Sequence, residues 1–307
     1  MSPRFVYSDR YEVDLAGHPF PTEKYRLVRL ALLENGSCGP EDFIEPAEPN
    51  REDLLLVHTP AYLDDLEHAR LTPRTARSEL PVTGEVIGAF RLSAAGTALA
   101  AGLARQSGTA VHIGGGFHHA FPDHAEGFCY FNDVAIAARI ALREGWAEKV
   151  LVVDADVHQG NGTASIFRDD PAVYTFSIHQ EDNYPPKKRS DRDVGLHDGT
   201  DDEEYLSFLR FHLPDLRETV RPDLVIYVAG ADPFAEDRLG GLGLTRKGLA
   251  ERDRMVFDEF AAAGIPTAAC LAGGYARNPA DTVAIHARTC LEAIRASRRG
   301  AKRDEER

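Results

Sequence analysis

The stretch VLVVDADVH, residues 150–158, joins four apolar, mostly β-branched residues to side chains that handle metals and protons. Val150–Val153 reads as a short strand buried on both faces, the kind found in parallel sheets. Asp154, Asp156 and His158 would then stand at the carboxyl end of that strand. Four more runs share its character: Thr109–Ile113, Val173–Ile178, Leu224–Ala229 and Thr267–Ala272. Each ends in something polar or glycine-rich: Gly114-Gly115-Gly116-Phe117-His118-His119, then His179, then Gly230-Ala231-Asp232, then Gly273-Gly274-Tyr275. Ligands in open α/β sheets bind beyond the carboxyl ends of the strands, so the five runs predict one chemically equipped rim.

Helical patterns lie between the runs. Asn132–Glu144 starts at a good N-cap and stops at Gly145. Asp201–Val220 opens with four acids, which suit a helix N-terminus, and carries Leu206, Leu209 and Leu213 at helical spacing. Thr245–Ala263 and Asp281–Arg295 behave alike, and earlier helices are expected over Pro21–Glu34, His58–Ala69 and Glu85–Arg105. Strands alternating with helices imply βαβ crossovers, hence a single-domain, three-layer α/β/α fold around a central, mostly parallel sheet. The chain has 307 residues, 43% of them hydrophobic, which suffices for such a core, and no shift in composition marks a linker. The domain is expected over residues 1–294, with a charged, frayed tail over residues 295–307.

A net charge of −14 disfavours nucleic acid as a partner, since phosphate contacts need cations, and suits cationic partners. Cys38, Cys129, Cys270 and Cys290 are too scattered for a zinc ribbon or a disulfide frame and read as reduced thiols. Residues 1–10 lack an apolar signal core, and no run of 18 apolar residues occurs. The expectation is a cytoplasmic protein that does not span a membrane.

Asp156 and His158, two apart in an extended segment, present their side chains on one side, and Asp232 after another strand can complete the set. Two carboxylates and one imidazole suit zinc with a fourth position left open; ferrous iron accepts the same donors. A lone DxDxH can equally be a loop with helix-capping acids, but the twin histidines and Asp232 weigh against that here.

Five motifs, GGGFHHA (114–120), GFCYFND (127–133), DADVHQGNGT (154–163), AGAD (229–232) and GGY (273–275), resemble the histone deacetylases in order and spacing. HQGNG (158–162), DRLGGL (237–242) and the opening YSDRYEV with His18-Pro19 are most similar to the class IV branch and its bacterial relatives. The resemblance implies an arginase-like fold and hydrolysis of the amide bond of an acylated lysine, in a protein or peptide, with one Zn²⁺ per chain. By position Asp156, His158 and Asp232 match the zinc ligands, His118 and His119 the tandem histidines beside the attacking water, and Tyr275 the tyrosine that meets the scissile carbonyl. These roles fit the chemistry, which needs an acidified water, a base, an acid for the leaving amine and a donor to the oxyanion.

Further positions follow from the same resemblance. Asp154 matches the aspartate behind the first histidine. Asn161 matches the partner of the second, where many relatives carry aspartate. Asp154 and Ser177 match side-chain ligands of a potassium ion (K⁺), joined by backbone oxygens of Asp156, His158 and Ile178. For the substrate's methylene stem, Phe128 after Gly127 matches one tunnel wall and Leu239 the mouth; Tyr184 is expected to replace the second aromatic wall. Gly273 and Gly274 let the backbone approach the ligand, and Glu79 aligns with an acidic rim residue. Plain core packing is the competing account of Phe128 and Leu239.

Three rival functions remain on this reading. A deacetylase of acetylated polyamines or other small acyl-amines fits the acidic charge, but Leu239 stands where polyamine-specific relatives place a carboxylate. A binuclear manganese hydrolase needs more bridging carboxylates. A non-enzymatic acyl-lysine-binding protein does not need the full catalytic set.

Overall fold

The computed structural model describes residues 4–305. Among them eight strands form one sheet: β1 (Arg4–Val6), β2 (Phe43–Ile44), β3 (Thr109–His112), β4 (Val150–Asp154), β5 (Val173–Gln180), β6 (Arg192–Leu196), β7 (Leu224–Val228) and β8 (Thr267–Cys270). Their order is β2-β1-β3-β8-β7-β4-β5-β6, and every pairing is parallel. All residues of β3, β4, β7 and β8 are buried, which fits their mostly apolar sequences.

Among the described residues nine α-helices connect and cover the strands: α1 (Lys24–Glu34), α2 (Arg51–Leu55), α3 (Pro60–Glu67), α4 (Gly84–Ser107), α5 (Asp133–Arg143), α6 (Asn161–Ile166), α7 (Asp202–Val220), α8 (Arg246–Ala262) and α9 (Pro279–Glu305). On one side α4 packs against α5; on the other α7, α8, α9 and α1 pack in a row. The expected caps are in place. Asn132 accepts from Ala135 N at 2.9 Å, Asp201 from Glu204 N at 3.0 Å and Thr245 from Gly248 N at 3.0 Å. Leu206, Leu209, Leu213 and Leu216 are the buried stripe of α7.

The structure departs from the expectations in four places. Strands β1, β2 and β6 and helices α2 and α6 add to the expected elements. Residues 295–305 continue α9 rather than forming a separate tail, with Ala296 buried and Arg295 paired with Asp258 and Glu292. Glu306 and Arg307 lie outside the described residues. His179 does not follow β5 but belongs to it, buried and hydrogen-bonded to Ser177 Oγ at 2.9 Å. Finally, α4 is long and apolar enough to cross a membrane by length and composition, yet it is a core helix seated on β1, β3 and β8.

Candidate active site

The loops after β3, β4, β7 and β8 carry the proposed chemistry, and these four strands are adjacent in the sheet (β3-β8-β7-β4). Their carboxyl ends open on a cavity of about 230 Å³. Asp156, His158, Asp232, His118, His119, Gly127, Phe128, Leu239, Tyr184, Glu79, Gly273 and Tyr275 all line it, joined by Phe20 and Asn183.

After β4 the chain bends rather than staying extended: Asp156 Oδ1 accepts from His158 N at 3.0 Å, an Asx-type turn. The turn still gathers the expected donors. Ligand atoms of Asp156, His158 and Asp232 lie within 4.8 Å of one another, and all three residues are buried. His158 Nδ1 is 3.2 Å from Asp156 Oδ1 and 3.5 Å from Asp232 Oδ2. Asp232 Oδ1 accepts from Val157 N at 2.9 Å, whereas the buried Asp232 Oδ2 has no well-formed hydrogen bond among the described residues. Burial and the neighbouring Asp156 charge push Asp232 up to about 7. His158 rises to about 10 against its own burial, because the carboxylates on either side favour its cation. Two buried carboxylates this close favour a cation beside them, and the Asp232 oxygen without a well-formed hydrogen bond can serve as a ligand atom for a metal. The donor set therefore fits a divalent metal of the zinc type. Gly273 is required beside it, since a Cβ there would stand 2.0 Å from Asp232 Oδ2.

The histidines follow a turn of the GGG segment. Asp133 Oδ1 accepts from Phe117 N at 2.6 Å and its Oδ2 from Gly116 N at 2.9 Å. Thr163 N and Asn132 Nδ2 donate to His118 O. The rings lie side by side, Nε2 to Nε2 at 3.1 Å. Behind them His118 Nδ1 meets Asp154 Oδ2 at 2.7 Å and His119 Nδ1 meets Asn161 Oδ1 at 2.8 Å. The partners differ in charge, and the rings differ accordingly. Burial would lower His118, but the Asp154 and Asp156 carboxylates outweigh it and raise it to about 9. His119 is held well below the usual histidine value by burial and by the His118 charge. The pair thus carries one positive charge, on His118, and leaves His119 a neutral imidazole.

Tyr275 is buried, its ring 6.0 Å from Phe128 and 6.3 Å from Phe20. Burial raises its phenol well above the usual value, so it remains a donor. Gly127 and Phe128 have φ of 50° and 65°, and Glu126 and Cys129 exchange backbone hydrogen bonds across them. Positive φ at both central residues defines a type I′ turn, which sets Phe128 against the tunnel. A Cβ on Gly127 would lie 2.7 Å from both His119 Cδ2 and Tyr184 Oη. Tyr184 faces His119 and His158 at 5.2 and 6.1 Å between ring centres. Asn183 ties its loop to the mouth by donating to Leu239 O at 2.9 Å.

One expected substrate-binding residue lies elsewhere. Gly274 does not line the cavity; with φ of 150° it packs toward Ala231 and Thr282, serving the turn rather than the substrate. Ser177 is buried beside Asp154, its register partner across β4 and β5. Four further residues hold the site, none of them among the expected site residues. Glu126 and Arg77 stand behind Asn161, Asp237 braces Tyr275, and Arg252 Nη1 reaches Gly230 O at 2.6 Å and Ala155 O at 3.1 Å. Glu126 borders the GFCYFND motif; Arg252 carries no local signal.

The histone deacetylase domain model matches residues 18–291. The chain is 47% identical over 271 residues to an uncharacterized protein of Picosynechococcus sp., covering 88% of this chain and 90% of that protein. It is 34% identical over 294 residues to histone deacetylase 2 of Arabidopsis thaliana, covering 91% and 76%. The crystal structure of the HDA15 HD domain superposes with a TM-score of 0.81 at 26% identity, covering 98% of this chain and 92% of that one.

Proposed function

The chain belongs to the histone deacetylase family and is a hydrolase of amide bonds, and from this we propose that it removes the acyl group from an acylated lysine of a protein or peptide. One observation carries the reading. A narrow cavity combines a metal-fitting triad, a histidine pair charged unequally, and a buried tyrosine hydroxyl.

A zinc ion held by Asp156, His158 and Asp232 would act as a Lewis acid on the acyl carbonyl and lower the pKa of the attacking water to about 7. His119, neutral, takes the water's proton at Nε2. His118, whose imidazolium Asp154 supports, delivers its proton to the leaving amine. Tyr275 donates its hydroxyl to the oxyanion. Phe128 and Tyr184 enclose the lysine stem, Leu239 borders the mouth, and Glu79 offers a carboxylate at the rim.

The class IV placement rests on HQGNG, DRLGGL and the opening YSDRYEV. A K⁺ site is proposed at Asp154 and Ser177, and the four free thiols favour a reducing, cytoplasmic setting. Acyl chain length is the open variable. Lysine peptides carrying acyl chains of increasing length, assayed beside acetylated polyamines, test the proposal. Turnover of the peptides with little of the polyamines is expected; the reverse preference would overturn it.

A further inference from the structure

Asn161 sits between a histidine and a carboxylate, and its two amide ends are not equivalent. Its Oδ1 accepts from Gly162 N at 3.0 Å and faces His119 Nδ1 at 2.8 Å; its Nδ2 donates to Glu126 Oε1 at 2.7 Å. The Gly162 N–H can only donate and the Glu126 carboxylate can only accept, so the amide has one orientation. Its oxygen therefore faces His119 Nδ1, and that nitrogen must carry the proton. Glu126 is itself fixed. It is buried, its backbone closes the turn with Cys129, and its Oε2 pairs with Arg77, whose side chain is half-exposed.

We propose that Glu126 is a positioning residue for the reaction. Anchored by Arg77, it locks the Asn161 amide and through it holds His119 as the Nδ1–H tautomer, which leaves Nε2, 3.1 Å from His118 Nε2, as the unprotonated nitrogen. The inference rests on the reading of His119 as the base. It also explains the amide at position 161. A carboxylate there would confront Glu126 at hydrogen-bonding distance, two like charges in a buried place.

The donor–acceptor pattern makes the relay separable from mere packing. Asn161→Asp alone sets two carboxylates face to face. Glu126→Gln alone, with one acceptor oxygen left for both Arg77 and Asn161, frees the Asn161 amide to flip. The two substitutions together restore complementarity: the new carboxylate accepts from His119 and Gly162 N, while the new amide donates to it and accepts from Arg77.

The test is a double-mutant cycle on the zinc-loaded full chain, reading kcat and KM separately, with ¹⁵N NMR of the His119 ring assigned against His119→Ala. Each single substitution should lower kcat by about tenfold or more with KM little changed, and the double should return to within about threefold of the unsubstituted chain. His119 should be the Nδ1–H tautomer in the unsubstituted and doubly substituted chains and a mixture in Glu126→Gln. An unchanged kcat in Glu126→Gln, losses that simply multiply in the double, or an Nε2–H tautomer in the unsubstituted chain would overturn the relay. If a single variant does not fold, the tautomer and the kcat of the double still decide. Absence of turnover by the unsubstituted chain would strike the proposed function instead, and the His119 tautomer would then decide the relay by itself.

Discussion

The Asp237 carboxylate accepts a hydrogen bond from the backbone N–H of Tyr275, Oδ2 to N 2.6 Å. Its other oxygen accepts from Leu239 N at 2.8 Å and Gly240 N at 3.1 Å. One buried side chain thus ties the mouth of the tunnel to the backbone that aims the tyrosine. Asp237→Ala leaves three N–H groups without this acceptor, at about 1–3 kcal/mol for each that stays buried. A lower melting temperature and a kcat/KM reduced by about tenfold or more are expected. Asp237→Asn keeps an acceptor for the Leu239 loop but turns an amide toward Tyr275 N, so kcat should fall with less loss of stability. Calorimetry and steady-state kinetics on both variants check this; unchanged kcat in Asp237→Ala would mean that Tyr275 is positioned by its ring packing alone.

Tyr275→Phe retains the ring contacts with Phe20 and Phe128 and removes only the hydroxyl. Loss of one oxyanion donor lowers kcat by roughly 10²–10³. Zinc content and KM should stay near those of the parent, as read by elemental analysis and initial rates. A kcat within about twofold of the parent would reassign Tyr275 to packing.

The site is legible where its residues stand at strand ends, because buried parallel strands are largely apolar runs, and Asp154, Gly230 and Gly273 mark where three of them give way to the rim. Strand β1 has three residues and β2 two, too few to show a period. The edge strand β6 mixes Arg192, Asp193 and Gly195 with two buried aliphatics and reads as loop. Glu126, Arg77 and Arg252 act across long sequence separations, which no local pattern announces, and Asp237, though it heads DRLGGL, reaches Tyr275 across 38 residues. The continuation of α9 past Arg295 is hidden for a different reason: Arg295 pairs with Asp258 and Glu292, and Arg299 with Asp258, rather than solvating a free tail.

His58 gives the fold a pH dependence on the acid side. Its Nδ1 faces Phe121 O at 3.0 Å and its Nε2 accepts from Asn132 N at 3.0 Å, so the neutral ring satisfies both. Burial lowers its pKa to about 4 from an ordinary 6.5. The unfolded chain therefore binds the proton more readily. The stability His58 contributes is complete above about pH 6.5 and is lost as pH falls toward 4, on the order of 3 kcal/mol. Denaturant melts of the parent and of His58→Gln at pH 7 and pH 4.5 measure it. The pH dependence should be shallower in the variant; identical dependence in both would exclude His58 as a source.

Arg252 holds the loops of two proposed metal ligands at once, through Gly230 O and Ala155 O. Arg252→Met keeps the length and removes the donors. Zinc affinity should fall by about 10–100-fold, as for other residues that orient ligands from behind, measured by competition with a chromogenic chelator. Unchanged affinity in a folded variant would limit Arg252 to stability.

Zinc titrated into chelator-stripped protein, with release of the acyl acid from an acyl-lysine peptide followed at each addition, tests the central claim most directly. Turnover should be absent without metal, rise in proportion to zinc and saturate at one ion per chain, and Asp156→Ala and Asp232→Ala should neither retain zinc nor recover activity. Full turnover in protein shown to be metal-free, or saturation only at two ions per chain, would contradict the account.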